Sequence, residues 1–167
     1  AKTDEEKARR IYQFVRDGFS CTNYARYTTE QSIKSVFKSK KGTVSEINLL
    51  LKAMLGYAGI KADPVLLSQS DRGYVYDMYP MMSRFNYVIS LAQITNRPVY
   101  LDGTHNSLGF GRLLPACYNG HARVINEEAT PLYLVADSLN ERKVTALFLD
   151  AGNKSLWAGS VDYNPSY

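Results

Sequence analysis

Apolar residues recur at helical spacing through the first third of the chain. Ala8, Ile11, Tyr12, Val15 and Phe19 form one stripe. Thr3 precedes it with Glu6 three residues on, a capping box in which each side chain satisfies the other residue's amide, and Gly18 marks the end. Thr28 and Gln31 repeat that logic before a shorter stripe of Ile33, Val36 and Phe37. The third stripe is the strongest: Ile47, Leu50, Leu51, Met54, Leu55 and Ala58, closed by Gly59. Leu49 widens it, so this helix is expected to be buried on most of its circumference. Its entrance reads KKGTVSEIN. There Gly42 is expected to turn the chain, Thr43 to cap, Glu46 to complete a capping box, and Val44 to be the first helical residue.

Past Gly59 the period changes. Residues 62–68 (ADPVLLS) read as a strand, and residues 69–83 show no clean period. A connection that long in a small domain is usually functional. Residues 85–91 and 97–102 read as two strands around a turn at Thr95-Asn96-Arg97. Paired as a hairpin, residues whose numbers sum to about 190 face each other, which brings Tyr87 to within about one register step of Asp102. Further strands are expected near 121–126, 131–136, 143–149 and 155–161. Helices first and an antiparallel sheet afterwards is the α+β pattern. No internal repeat or low-complexity segment interrupts it.

Composition adds bounds to that outline. The 167 residues are 45% hydrophobic and 22% charged, which suits one globular domain spanning 1–167, with a core over about 30–105 and C-terminal strands over about 120–161. The formal net charge of +4 is spread along the chain, and its one concentrated run, Lys38-Ser39-Lys40-Lys41, reads as a solvated helix end, so a nucleic-acid partner is not expected. No stretch approaches the roughly 20 apolar residues of a membrane span. The start AKTDEEKARR has neither an initiator Met nor an apolar signal core, so the chain reads as excised from a longer precursor. Cys21 and Cys117 permit one disulfide or two separate buried thiols. Thirteen tyrosines stand out.

The entrance to the third helix carries the chemical question. A side chain at position 44 lies beside unpaired amides and the positive end of the helix dipole, the setting that stabilises a thiolate. A cysteine there would be an activated nucleophile, needing a base and an orienting group to work. Valine can only pack.

The run GTVSEINLLLKAMLGYAGIKADPVLL resembles the transglutaminase-like superfamily, whose members carry Gly-x-Cys at the start of a long buried helix followed by a short strand. FNYVI resembles the strand bearing the family's His, and YLDGT resembles its Leu-Asp-Pro-Thr. The resemblance covers about residues 30–105. It implies a papain-like α+β core and acyl transfer or amide cleavage through a thioester. Its nucleophile position falls on Val44, its base position on Tyr87 and its orienting position on Asp102, so only the aspartate remains. A branch from multidomain envelope proteins of Bacteroidetes-type bacteria is most similar, which implies neighbouring domains of the same polypeptide as partners and a periplasmic, envelope or secreted location. The expectation is a pseudoenzyme that serves as a binding or scaffolding module.

Other residues offer alternatives. Tyr74, Tyr76 and Tyr79, with Met81, Met82 and Asn86, form a surface suited to a peptide strand or sugar ring, or else anchor their own loop. Cys117 with His105 or His121 near Asp102 would be a relocated cysteine hydrolase or acyltransferase site, although Asn119-Gly120 signals a turn between Cys117 and His121. Metal binding by His105, Cys117 and His121 is not expected, because no ligand spacing repeats. No cofactor is expected either; Gly109-Phe110-Gly111-Arg112 is too short for a phosphate loop.

Overall fold

The structure is a computed structural model that describes residues 3–78, 81–138, 142–151 and 157–166. They fall into two compact units, Ala1–Val135 and Ala136–Tyr167. The first begins with α1 (Asp4–Gly18), where the Glu6 amide donates to Thr3 Oγ1 at 3.2 Å and Ala8, Tyr12 and Val15 are buried. After β1 (Ser20–Asn23) comes α2 (Ile33–Ser39). Its cap differs from expectation. Ser32, extended and immediately before Ile33, accepts from the Ser35 amide at 3.2 Å. Thr28 and Gln31 lie too early to reach those amides, and their polar groups turn instead to Ser45 and Glu46 at the entrance to the third helix.

That entrance is β2 (Lys41–Thr43), paired in parallel with β1, running into α3 (Val44–Tyr57). The capping box is present: the Thr43 amide donates to Glu46 Oε2 at 2.9 Å and the Glu46 amide to Thr43 Oγ1 at 3.4 Å. The turn, however, is made by Lys40, at φ 58°, and not by Gly42. Gly42 is required for a different reason: a Cβ there would lie 3.1 Å from both Glu46 Oε2 and Val36 Cγ1.

A five-stranded antiparallel sheet follows, built from β3 (Ala62–Leu67), β4 (Tyr87–Ile94), β5 (Arg97–Leu101), β6 (Gly120–Val124) and β7 (Pro131–Leu134). Its order is β5-β4-β3-β6-β7. Thr95 and Asn96, both at positive φ, form the tight β4–β5 turn, and Ser90 pairs with Leu101. α3 packs on one face of this sheet. Side chains alternate accordingly: Val65, Leu67, Tyr87 and Ile89 enter the cluster that contains Val44 and Cys117, whereas Leu66 and Val88 pack on the opposite face with Val75 and Phe85. A further cluster joins Tyr12 and Val15 of α1 to Ile47, Leu51 and Leu55 of α3. The second unit is a short turn of helix, Ala136–Ser138, and an antiparallel hairpin of β8 (Arg142–Ala151) and β9 (Trp157–Ser166) in continuous register.

Candidate functional site

Val44 is the first residue of α3 and is fully buried, with Thr43 and Ser45 buried beside it. Its apolar side chain lies in one cluster with Tyr87 and Cys117. The Tyr87 hydroxyl donates to Asp102 Oδ2 at 2.7 Å and lies 3.1 Å from Thr104 Oγ1. Asp102 Oδ1 accepts from Thr104 Oγ1 at 2.6 Å, from the Thr104 amide at 3.1 Å and from Asn48 Nδ2 at 3.1 Å. Four donors therefore hold one buried carboxylate. Burial first, then the neighbouring Asp102 charge, push the Tyr87 phenol far above its ordinary range. It stays protonated at any physiological pH and acts as a hydrogen-bond donor. The structure thus brings Tyr87 and Asp102 together, and all three of Val44, Tyr87 and Asp102 are inaccessible to solvent.

Asn48 is the residue that ties this network to the helix. One turn beyond Val44, its Nδ2 also donates to the Val88 carbonyl at 2.8 Å, and its Oδ1 accepts from the Gly103 amide at 2.9 Å. Ser90 Oγ closes the link from β4 by donating to the Asn48 carbonyl at 2.7 Å. A polar residue inside the apolar run INLLL was the available sequence signal for this. Glu46, also fully buried, braces the helix entrance from the other side. Its Oε1 accepts from the Glu30 and Gln31 amides at 2.5 and 2.8 Å, while Oε2 takes the Thr43 amide and Gln31 Nε2.

Neither cysteine forms a disulfide. Burial, helped by the Asp102 charge, pushes the Cys117 thiol up to about 12. Burial likewise pushes Cys21 up to about 11, with Asp102 and Glu46 adding to the shift. Both are neutral thiols at pH 7 and poor nucleophiles. His105 stacks on Tyr24 with ring centroids 4.6 Å apart, in a cleft of about 220 Å³ shared with Cys21 and Thr104. His121 contacts the Asp77 carboxylate through Nδ1. Among the described residues no group of three or more His, Cys, Asp or Glu is placed to hold a metal ion.

Tyr74 and Tyr76 are largely exposed and line a cleft with Asp77, His121 and Tyr133. Tyr79 lies outside the described residues. Asn86 is buried, with its Oδ1 accepting from the Gln69 amide and its Nδ2 donating to Gln69 Oε1, so its polar atoms serve the loop after β3.

A buried helix whose tip meets an antiparallel sheet, with an aspartate just past the end of the strand two places from the sheet centre, is a papain-like α+β core. The family model of the transglutaminase-like superfamily matches residues 1–88, and the chain belongs to that superfamily. This match includes α1, which the sequence resemblance left out, and it ends just past Tyr87. The structure is similar to the crystal structure of a "putative protease" from Parabacteroides distasonis, at TM-score 0.62 and 18% identity over 83% of this chain. At that identity the likeness is one of fold. The chain spans 26% of that protein's length. No curated protein matches the chain.

Proposed function

We propose that this transglutaminase-like domain is a pseudoenzyme, in which Val44 and Tyr87 stand where the family's nucleophile and base would be. It serves as a binding or scaffolding module of a larger envelope protein. The observation that supports this is the sealed site: a valine at the helix tip, and a phenol whose proton is committed to Asp102, both at zero exposure. Acyl transfer needs a nucleophile that a carbonyl can reach and a base that can take its proton. Neither group meets that need. A relocated site on Cys117 is the weaker reading, because that thiol is buried, neutral at pH 7, and no imidazole contributes to its shift.

Incubating the purified domain with glutamine peptides and a labelled amine, and with peptide amides for hydrolysis, tests this. No product above a heat-denatured control is expected. Turnover that disappears in Cys21→Ala or Cys117→Ala would overturn the pseudoenzyme reading in favour of a relocated thiol site. Turnover surviving both substitutions would overturn every thiol mechanism as well.

A further inference from the structure

His121 is 4% exposed, yet among the described residues its Nε2 has no hydrogen-bond partner. It lines an open cleft of about 400 Å³ together with Tyr74, Tyr76, Asp77 and Tyr133. Leaving a buried polar nitrogen unmatched is costly, because it has given up water without a replacement. Such a group needs an explanation, and a ligand that completes it is the natural one. The cleft lies on β6, β7 and the loop after β3, where none of Val44, Tyr87 and Asp102 contributes to its lining.

The lining chemistry narrows the ligand. Three tyrosines at 67%, 72% and 55% exposure offer flat apolar faces with polar tips, and Tyr133 meets the His121 ring edge-on at 5.6 Å. Asp77 Oδ1 lies against His121 Nδ1, yet neither ring nitrogen has a hydrogen-bond partner among the described residues. The floor therefore calls for a hydroxyl, which can both donate and accept. An anionic ligand is disfavoured, because no Lys or Arg lines the cleft and Asp77 carries negative charge. A cationic one is disfavoured as well: the charge of Arg123, on the same strand, is felt at His121, and Asp77 is already engaged. A pyranose ring meets all of these conditions. Its C–H face stacks on an aromatic ring, and its edge presents hydroxyls.

We propose that the cleft of Tyr74, Tyr76 and Tyr133 over the His121–Asp77 pair is a binding site for a neutral glycan, with a sugar hydroxyl hydrogen-bonded to His121 Nε2. This deepens the binding role proposed above by naming its site and ligand class, and it holds whether or not the domain retains any turnover.

The test is calorimetric titration of the intact domain with the neutral tetrasaccharides of β-1,4-glucose, β-1,4-N-acetylglucosamine, β-1,3-glucose and α-1,4-glucose, beside a cationic tyrosine-free peptide. At least one sugar is expected to bind. Tyr76→Ala and Tyr133→Ala should weaken that binding about tenfold or abolish it, and Tyr76→Phe should restore most of it. Tyr57→Ala, at a 98% exposed position on α3, should change nothing. His121→Leu removes both ring nitrogens, with folding checked by circular dichroism. It should weaken binding while Tyr57→Ala does not. Flat titrations with all four sugars would overturn the proposal and leave the pseudoenzyme reading standing. Sugar binding indifferent to Tyr76 and Tyr133 would overturn the site, and Tyr76-dependent capture of the peptide instead would overturn the ligand class.

Discussion

At the level of single residues, the buried network around Asp102 gathers four donors on one carboxylate. Tyr87→Phe keeps the ring and deletes one charge-assisted donor to a carboxylate that stays buried. A loss of about 1.5–3 kcal/mol in urea unfolding is expected, since hydrogen bonds to charged groups fall in that range. A change below about 0.5 kcal/mol would mean that Asn48 and Thr104 alone satisfy the carboxylate. The protonated groups also set a pH dependence. Cys117 moves from 9.0 to about 12 and Tyr87 moves upward too, in both cases first through burial. Below about pH 9 both folded and unfolded chains keep the thiol proton, and the contribution to stability is complete. Above that, the unfolded chain ionises first, so stability falls with rising pH until the folded value is passed. Urea midpoints are therefore expected to drop between pH 8.5 and 11, and a flat or rising profile would contradict the burial of these groups.

At the scale of elements, the two capping boxes separate a local device from a tertiary one. Glu6 caps α1 at an exposed end, while Glu46 caps α3 and also takes the Glu30 and Gln31 amides from the segment before α2. Glu46→Ala is expected to cost about 3 kcal/mol or more, since it strands several buried donors, against about 1 kcal/mol for Glu6→Ala. Chemical denaturation of the two variants measures the difference; equal costs would reduce Glu46 to an ordinary cap. Gly42 belongs to the same junction. Gly42→Ala should destabilise by about 1–3 kcal/mol by crowding Glu46 and Val36, as overpacked sites do. The entrances to α2 and α3 show where pattern reading reaches its limit. Ser32 outcompetes Thr28 because a cap must stand directly before the first helical residue. Lys40 takes the left-handed turn that was expected at Gly42, two residues on.

For the molecule as a whole, the described residues of the first unit form three α-helices, the five-stranded sheet and their own core, whereas those of the second form a turn of helix and a two-stranded hairpin. Isolated two-stranded hairpins are marginal in water. A fragment of residues 1–135 is expected to keep a cooperative thermal transition by circular dichroism, and one of residues 136–167 to show none. Reducing agent should leave the melting temperature of the intact chain unchanged, because both cysteines are free thiols.

Features that depend on near neighbours and on period were legible from the chain alone. The α1 and α3 stripes, their capping boxes, the helix-to-strand switch after Gly59 and the β4–β5 hairpin all follow from spacing. Hairpin register even set Tyr87 close to Asp102, because pairing is arithmetic once the turn is known. Meetings between residues far apart in the chain are settled only when it folds. Asn48 reaching Asp102, Glu46 bracing the approach to α2, and Asp77 meeting His121 beneath Tyr133 each join segments that no period relates. Burial is the reason these matter: a polar group in the interior must find a partner wherever packing brings one, and that choice is made by the folded chain as a whole.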